Sequence, residues 1–272
     1  MISLLEWFPA ASGLVDEVLP QFLSIVRTDV LRYFLGAGLV YAIVNNLLAR
    51  RLANRKIRPD CPSNKQMRRE ILVSIRTALI FATTGTAIAL GATAGVYRIS
   101  LYPDALGWTW FGLSSVVLIV LHDAWFYWTH RLIHHPALFR RCHRTHHRSF
   151  NPSPWTAYAF DVGEAAVNAL YLPLVLLILP VSIPALIVFT THMILRNAIG
   201  HCGYELFPSR ADGRPMFDWM TTVTHHDLHH AQAGSNYGLY FTWWDRWMGT
   251  ENPNYLEAFA AASGRRSEMK PT

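Results

Sequence analysis

Charge is scarce in this chain: Asp, Glu, Lys and Arg make up 15% of it, against 51% hydrophobic residues and a mean hydropathy of +0.17. So little charge cannot cover the surface of a soluble domain of this length, and it marks a membrane protein. Cysteine is scarcer still. Cys61, Cys142 and Cys202 are odd in number and form no CxxC pair, which argues against a disulfide framework and for reduced thiols. There is no internal repeat, glycine-rich phosphate loop or nucleotide fingerprint, and no flavin, haem or cysteine-cluster motif. Electrons for any redox chemistry must therefore come from another protein. The start of the chain lacks the basic region of a signal peptide and carries Glu6, Asp16 and Glu17. It reads either as an interfacial amphipathic segment ahead of the first span or as a disordered terminus.

What is present is apolar sequence in five stretches, at about residues 30–49, 71–96, 108–129, 157–179 and 181–200. The first three have the roughly 20 residues that a helix needs to cross the hydrocarbon. The last two are interrupted by Pro173, Pro180 and Pro184 and contain Asp161, Glu164 and His192, so they form either two spans or a hairpin that stops short. Between the first two stretches lie Arg50, Arg51, Arg55, Lys56, Arg58, Lys65, Arg68 and Arg69, opposed by Asp60 and Glu70. The positive-inside rule puts that loop in the cytoplasm. The net charge of +6 is concentrated beside apolar segments, which favours an anionic lipid surface over nucleic acid as partner.

Histidine is the third feature. Of 13 histidines, eleven fall in residues 122–147 and 225–230. On a helix His130 and His134 share a face, with Asp123 within about 20° of His130. His143, His146 and His147 recur at i, i+3, i+4, as do His226, His229 and His230, so each triplet is expected to aim its rings at one point. Such crowding is costly without a cation, and neutral imidazole is a common ligand for iron, zinc and copper. The histidines at ligand spacing are too many for one tetrahedral site, so two metal ions are implied. Counting crossings from the basic loop brings every one of these histidines to the cytoplasmic side. The expected fold class is all-α: an integral membrane bundle of about four to five helices with a cytoplasmic helical cap carrying a histidine-rich di-metal site.

The set HxxxH (His130, His134), HxxHH (His143, His146, His147), Asn197 to His201 in NAIGHCGYE and a second HxxHH (His226, His229, His230) resembles the fatty acid hydroxylase or sterol desaturase superfamily of membrane di-metal oxygenases. Asp123 with YWTHR, and the ending NYGLYFTWWDRWMGT, add to the resemblance, which covers residues 121–250. It implies two iron ions that activate O2, with zinc as a substitute in purified samples, and electrons from NAD(P)H through a separate redox protein. It also implies oxidation of a C–H bond in a membrane lipid. His130, His134, His143, His146, His147, His201, His226, His229 and His230 are the implied ligands. No Glu-x-x-His box occurs, so an all-nitrogen or nearly all-nitrogen shell is expected. Asp123 is expected to accept a ring N–H, and Asp227 likewise. Asn197 stands where some members carry another histidine, which leaves an open position for oxygen or water.

His135 and His225 are undecided as ligands, while His122 and His192 read as core or supporting residues. Residues 1–120 form an N-terminal interfacial and membrane-helix part, 121–250 the catalytic part and 251–272 a tail that is polar from Gly264 onward. The expected function is lipid hydroxylation, with desaturation on the same ligands as the first alternative and a non-redox metal-binding role as the second. The absence of organelle signals points to a bacterial inner membrane, with the site on its cytoplasmic side.

Overall fold

A computed structural model of the chain describes residues 14–264. The N-terminal segment up to residue 13 and the polar tail beyond Gly264 lie outside the described residues. Four helices are long and apolar enough to cross a membrane. The first, α1 (Leu19–Val40), is continued at either end by π-helical turns, Leu14–Val18 and Tyr41–Leu47. It begins well before the expected residue 30. Asp29 and Arg32, whose charges interrupt the apolar stretch, neutralise each other one turn apart at 2.6 Å, so the helix runs through them.

Helix α2 (Asn64–Thr93) is capped by Ser63, whose hydroxyl accepts the Gln66 N–H. It is followed by α3 (Trp108–Ile133), which extends one turn past the expected end. Next come two short helices, α4 (Pro136–Cys142) and α5 (Arg144–His147), and a 3-10 turn at Pro154–Tyr158. The fourth apolar stretch is not a span: it forms α6 (Val162–Ala169) and α7 (Tyr171–Leu176), broken at Leu170. Helix α8 (Ile183–Gly200) returns and is itself long enough to cross, so of the last two stretches one is a candidate span and the other is not. The turn before it reaches the far end of the bundle, where β1 (Ile99–Ser100) pairs in parallel with β2 (Val181–Ser182). The remainder is α9 (Val223–Gln232), α10 (Trp243–Trp247) and α11 (Tyr255–Ala262).

Two cores hold the bundle together. Tyr33, Ala37 and Val40 of α1 pack with Tyr158, Phe160, Ile194 and Ala198, while Ile88, Leu118, Tyr171 and Phe189 form the second core nearer the β1–β2 end. Large apolar side chains point outward along the long helices, among them Leu35, Leu39, Val116 and Ile187. A soluble protein would not leave such a belt uncovered, and in lipid it has no cost. The chain is an integral membrane protein, and the C-terminal ends of α3 and α8 emerge at the same end of the bundle, opposite β1–β2.

Candidate metal centre

Four segments bring histidine to that end. The last turn of α3 carries His130 and ends on His134. His143 joins α4 to α5, which presents His146 and His147. His201 closes α8, and α9 carries His226, His229 and His230. Their side-chain nitrogens assemble into two groups. His130, His134, His143, His147 and His229 form one, and His146, His201, His226 and His230 the other, with all ligand atoms in each group within 4.8 Å of one another. All nine histidines expected as ligands are in these groups.

The triplets do not each aim at one point, as the spacing alone had suggested. His143 and His147 join the first group and His146 the second; His226 and His230 join the second and His229 the first. The reason is helical: residues i and i+4 lie about 40° apart, whereas i+3 turns about 60° the other way. Each HxxHH box therefore serves both groups. His229 shows the bridging most clearly, its ring centroid 4.4 Å from that of His130 and 5.9 Å from that of His230.

The tautomer of three of these rings is set by their outer partners. His130 Nδ1 donates to the Tyr237 carbonyl (2.8 Å), His201 Nδ1 to the Asn197 carbonyl (2.7 Å) and His229 Nδ1 to the Ser235 carbonyl (2.7 Å). A carbonyl only accepts, so each Nε2 is left as a lone pair. The Nε2 of His226 and of His230 both stand 3.0 Å from the Nε2 of His201, and His130 and His143 bring theirs to 2.9 Å. Two nitrogens bound at about 2.1 Å to one metal, at right angles, are roughly 3 Å apart. The donor set and its spacing fit a transition metal in each group. Burial holds His143, His146, His147, His226 and His230 well below the ordinary imidazole value, with repulsion from neighbouring rings adding to it, and lowers His201 and His229 to about 4. Each is neutral at pH 7, the form that ligates.

Other expected residues take different places. Asp123 accepts no ring N–H: its Oδ1 receives the backbone N–H of Tyr240 (2.7 Å) and Phe241 (3.3 Å). It anchors the loop whose Tyr237 carbonyl orients His130, and so acts one link further out. Asp227 likewise faces away from the rings, paired with Arg58 at 2.8 Å. The Asn197 side chain donates to the Ala157 carbonyl (2.7 Å), and its backbone carbonyl is what His201 uses. His135 is exposed and caps α4. His225 packs edge-on to Tyr255, 3.8 Å from Asp245, while His122 meets the Tyr240 hydroxyl at 3.0 Å and His192 packs on the Tyr240 ring. None of these four is in either group.

Sequence reasoning passed over Glu164 as a mere interruption of an apolar stretch. Its Oε2 lies 2.7 Å from His143 Nδ1, both side chains 1% exposed, though not aligned as a full hydrogen bond. Carboxylate support of a ligand imidazole orients the ring and raises its basicity. Asp161, one turn earlier, accepts the Thr145 N–H (2.6 Å) and the Thr145 hydroxyl, fixing the start of α5 between His143 and His146. The available signal was a pair of carboxylates three residues apart in otherwise apolar sequence.

Comparison with known proteins agrees with this geometry. The chain is 27% identical to the Delta(7)-sterol 5(6)-desaturase ERG3B of Gibberella zeae over 79% of its own length and 65% of that protein's. It is 32% identical to methylsterol monooxygenase 1 of Rattus norvegicus over 48% of this chain and 44% of the relative. With the very-long-chain aldehyde decarbonylase CER1 of Arabidopsis thaliana the identity is 30%, over 56% and 26%. The chain thus spans from about a quarter to two thirds of these relatives' lengths. No solved structure matches it. The sequence model of the fatty acid hydroxylase family matches residues 115–250, half of the chain, and takes in every histidine of both groups; the chain belongs to the fatty acid hydroxylase family.

Proposed function

We propose that this chain is a membrane oxygenase that uses O2 and electrons from a separate donor protein to hydroxylate a C–H bond of a lipid, of sterol or fatty acyl type. The observation that carries this reading is the pair of adjoining buried imidazole groups at the ends of membrane helices, in a member of this family. Two iron ions, one per group and held by the nine histidines, would supply the chemistry that activates O2 and breaks an unactivated C–H bond. The chain's own part is to hold these rings neutral by burial and oriented through the Tyr237, Asn197 and Ser235 carbonyls and Glu164. Asp123 and Asn197 are positioning residues in this reading. Phe126, whose ring centroid lies 4.9 Å from that of His130, brings an apolar surface to the first group.

The electron donor, reduced in turn by NAD(P)H, docks where the site comes nearest the surface. His134 and His147 are the two histidines of the groups that are not fully buried. Around them Arg131, Arg140, Arg141, Arg144 and Arg148 are exposed, and no carboxylate occurs in residues 124–160. Such a field favours an acidic carrier and weakens with salt. The cytoplasmic orientation of this face rests on the basic loop before α2; the relatives named above are all eukaryotic and lend no support to a bacterial inner membrane. Desaturation is the second reading, favoured by the sterol desaturase relative. Cells making the wild type or His229→Ala, grown under labelled dioxygen with a competent donor, separate the two. A lipid with one labelled oxygen only in the wild type establishes hydroxylation, and one lacking two hydrogens without label establishes desaturation. No lipid difference between iron-loaded, folded proteins would overturn both.

A further inference from the structure

Three residues before His130, the fully buried Tyr127 sends its hydroxyl into a chain of polar groups. It stands 2.9 Å from Thr250 Oγ1, which in turn donates to Asp245 Oδ1 at 2.7 Å. The carboxylate only accepts, so the Thr250 proton is committed to Asp245 and the phenol donates to Thr250. Arg131 Nη1 donates to the same phenol oxygen at 3.3 Å. The phenol proton therefore has a path, through one hydroxyl, to a buried carboxylate. A group that loses and regains a proton away from water needs such an acceptor within hydrogen-bond reach.

The rings around Tyr127 continue in both directions. Inward, it meets Tyr237 edge-on, with centroids 6.3 Å apart, and Tyr237 packs on His130, His134 and His229 of the first group at 5.7, 5.1 and 5.7 Å. Outward, it stacks on Trp244 at 5.8 Å, and Trp244 meets Trp247 at 5.4 Å. Trp247 is 64% exposed. Every member of this run is Tyr or Trp, the side chains whose rings give up an electron to a strongly oxidising centre. The run is unbroken from the surface to the first group.

We propose that Tyr127 is a redox-active tyrosine which, with Tyr237, Trp244 and Trp247, drains an oxidising equivalent from the first metal group to the surface when no lipid is in place. Tyr127 gives one electron through Tyr237 to the oxidised metal. Its O–H bond breaks, and a proton shifts through the Thr250 hydroxyl to form an O–H bond on Asp245. The neutral phenoxyl then takes one electron through Trp244 and Trp247 from a thiol-class reductant in solution, itself oxidised towards disulfide, and the proton returns from Asp245. Aromatic rings are far easier to oxidise than to reduce, so the run serves a centre that is already oxidising, not the donor's incoming electrons. This inference rests on the oxygenase reading above and gives its site a protective exit.

The test is photochemical and needs no lipid turnover. Full-length protein loaded with redox-silent zinc, in nanodiscs, is flash-illuminated with tris(bipyridine)ruthenium and a cobalt(III) quencher, then frozen and read by electron paramagnetic resonance. The expected signal is a tyrosyl radical that changes shape with ring-deuterated tyrosine and is insensitive to an aqueous gadolinium relaxant, because Tyr127 is buried. Tyr127→Phe should lose it, and Thr250→Val should shorten its lifetime. A wild type that yields only an indole radical, or a tyrosyl radical that the relaxant broadens, overturns the proposal even if no variant folds. So does a signal that survives in folded Tyr127→Phe. Iron-loaded protein mixed with O2 separates the two readings. Iron that O2 leaves reduced would sink the oxygenase reading with the relay intact, whereas iron that O2 oxidises with no Tyr127 signal would overturn the relay.

Discussion

At the scale of single residues, the groups differ in how their rings are backed. His143 has Glu164 behind it, whereas His201 has only the Asn197 carbonyl. Glu164→Gln keeps the shape but replaces the carboxyl group that faces His143 Nδ1, and it is expected to weaken metal binding in the first group by about 10–100-fold. Metal titration of the detergent-solubilised protein should show one of two equivalents lost at limiting metal; unaltered binding of both would contradict the role. His201→Ala removes the ring that both His226 and His230 face, so here the second equivalent should go and the first remain. Stability should follow pH with a definite sign. His201 and His229 titrate near 4 in the fold and near 6.5 in an unfolded chain, so the unfolded state takes up protons that the folded state refuses. Their contribution is complete above about pH 6.5 and is lost as pH falls towards 4. Metal-free protein should melt at progressively lower temperature across that window, and a flat profile would contradict the buried neutral rings.

Between elements, the decisive contact is α6 against α4. A Cβ on Gly163 would stand 2.8 Å from Cys142 Sγ, so only glycine lets the two helices approach this closely and bring Glu164 to His143. Gly163→Val should push them apart and cost the first group its metal while the second retains it, readable in the same titration. A second clamp joins the basic loop to α9, where Arg58 Nε meets Asp227 at 2.8 Å and Nη2 donates to its carbonyl at 3.2 Å. Arg58→Ala strands a largely buried carboxylate beside His226 and is expected to cost about 2–4 kcal/mol in thermal or denaturant stability. These contacts also mark the limit of what sequence could tell. The pairings at i and i+4, His130 with His134 and His226 with His230, were legible because they lie on one helix. Glu164 with His143, and Asp161 with Thr145, join different elements, and no periodicity encodes them. The division of each HxxHH box was hidden for a related reason: a helical wheel gives direction, while the position of a second group depends on which helix faces it. Likewise the earlier start of α1 was hidden because the apolar run was taken to begin after Asp29, whose charge is matched by Arg32 one turn on in the folded chain.

For the whole molecule, the four long helices, the short α6–α7 hairpin arm and the β1–β2 contact at the far end put both histidine groups on the side of the basic loop. Cys61 lies exposed in that loop. In intact cells a membrane-impermeant thiol reagent should fail to label Cys61 in a Cys142→Ser, Cys202→Ser background, and should label it once the membrane is opened. Labelling of intact cells would reverse the orientation. The central claim, that two neighbouring all-histidine groups each hold one iron, is met most directly by X-ray absorption at the iron edge together with iron content on protein made in iron-rich medium and purified without oxygen. The expected result is two irons per chain in a first shell dominated by nitrogen, falling to one per chain in His201→Ala. One iron or none in folded wild-type protein, or a shell dominated by oxygen or sulfur, would contradict it.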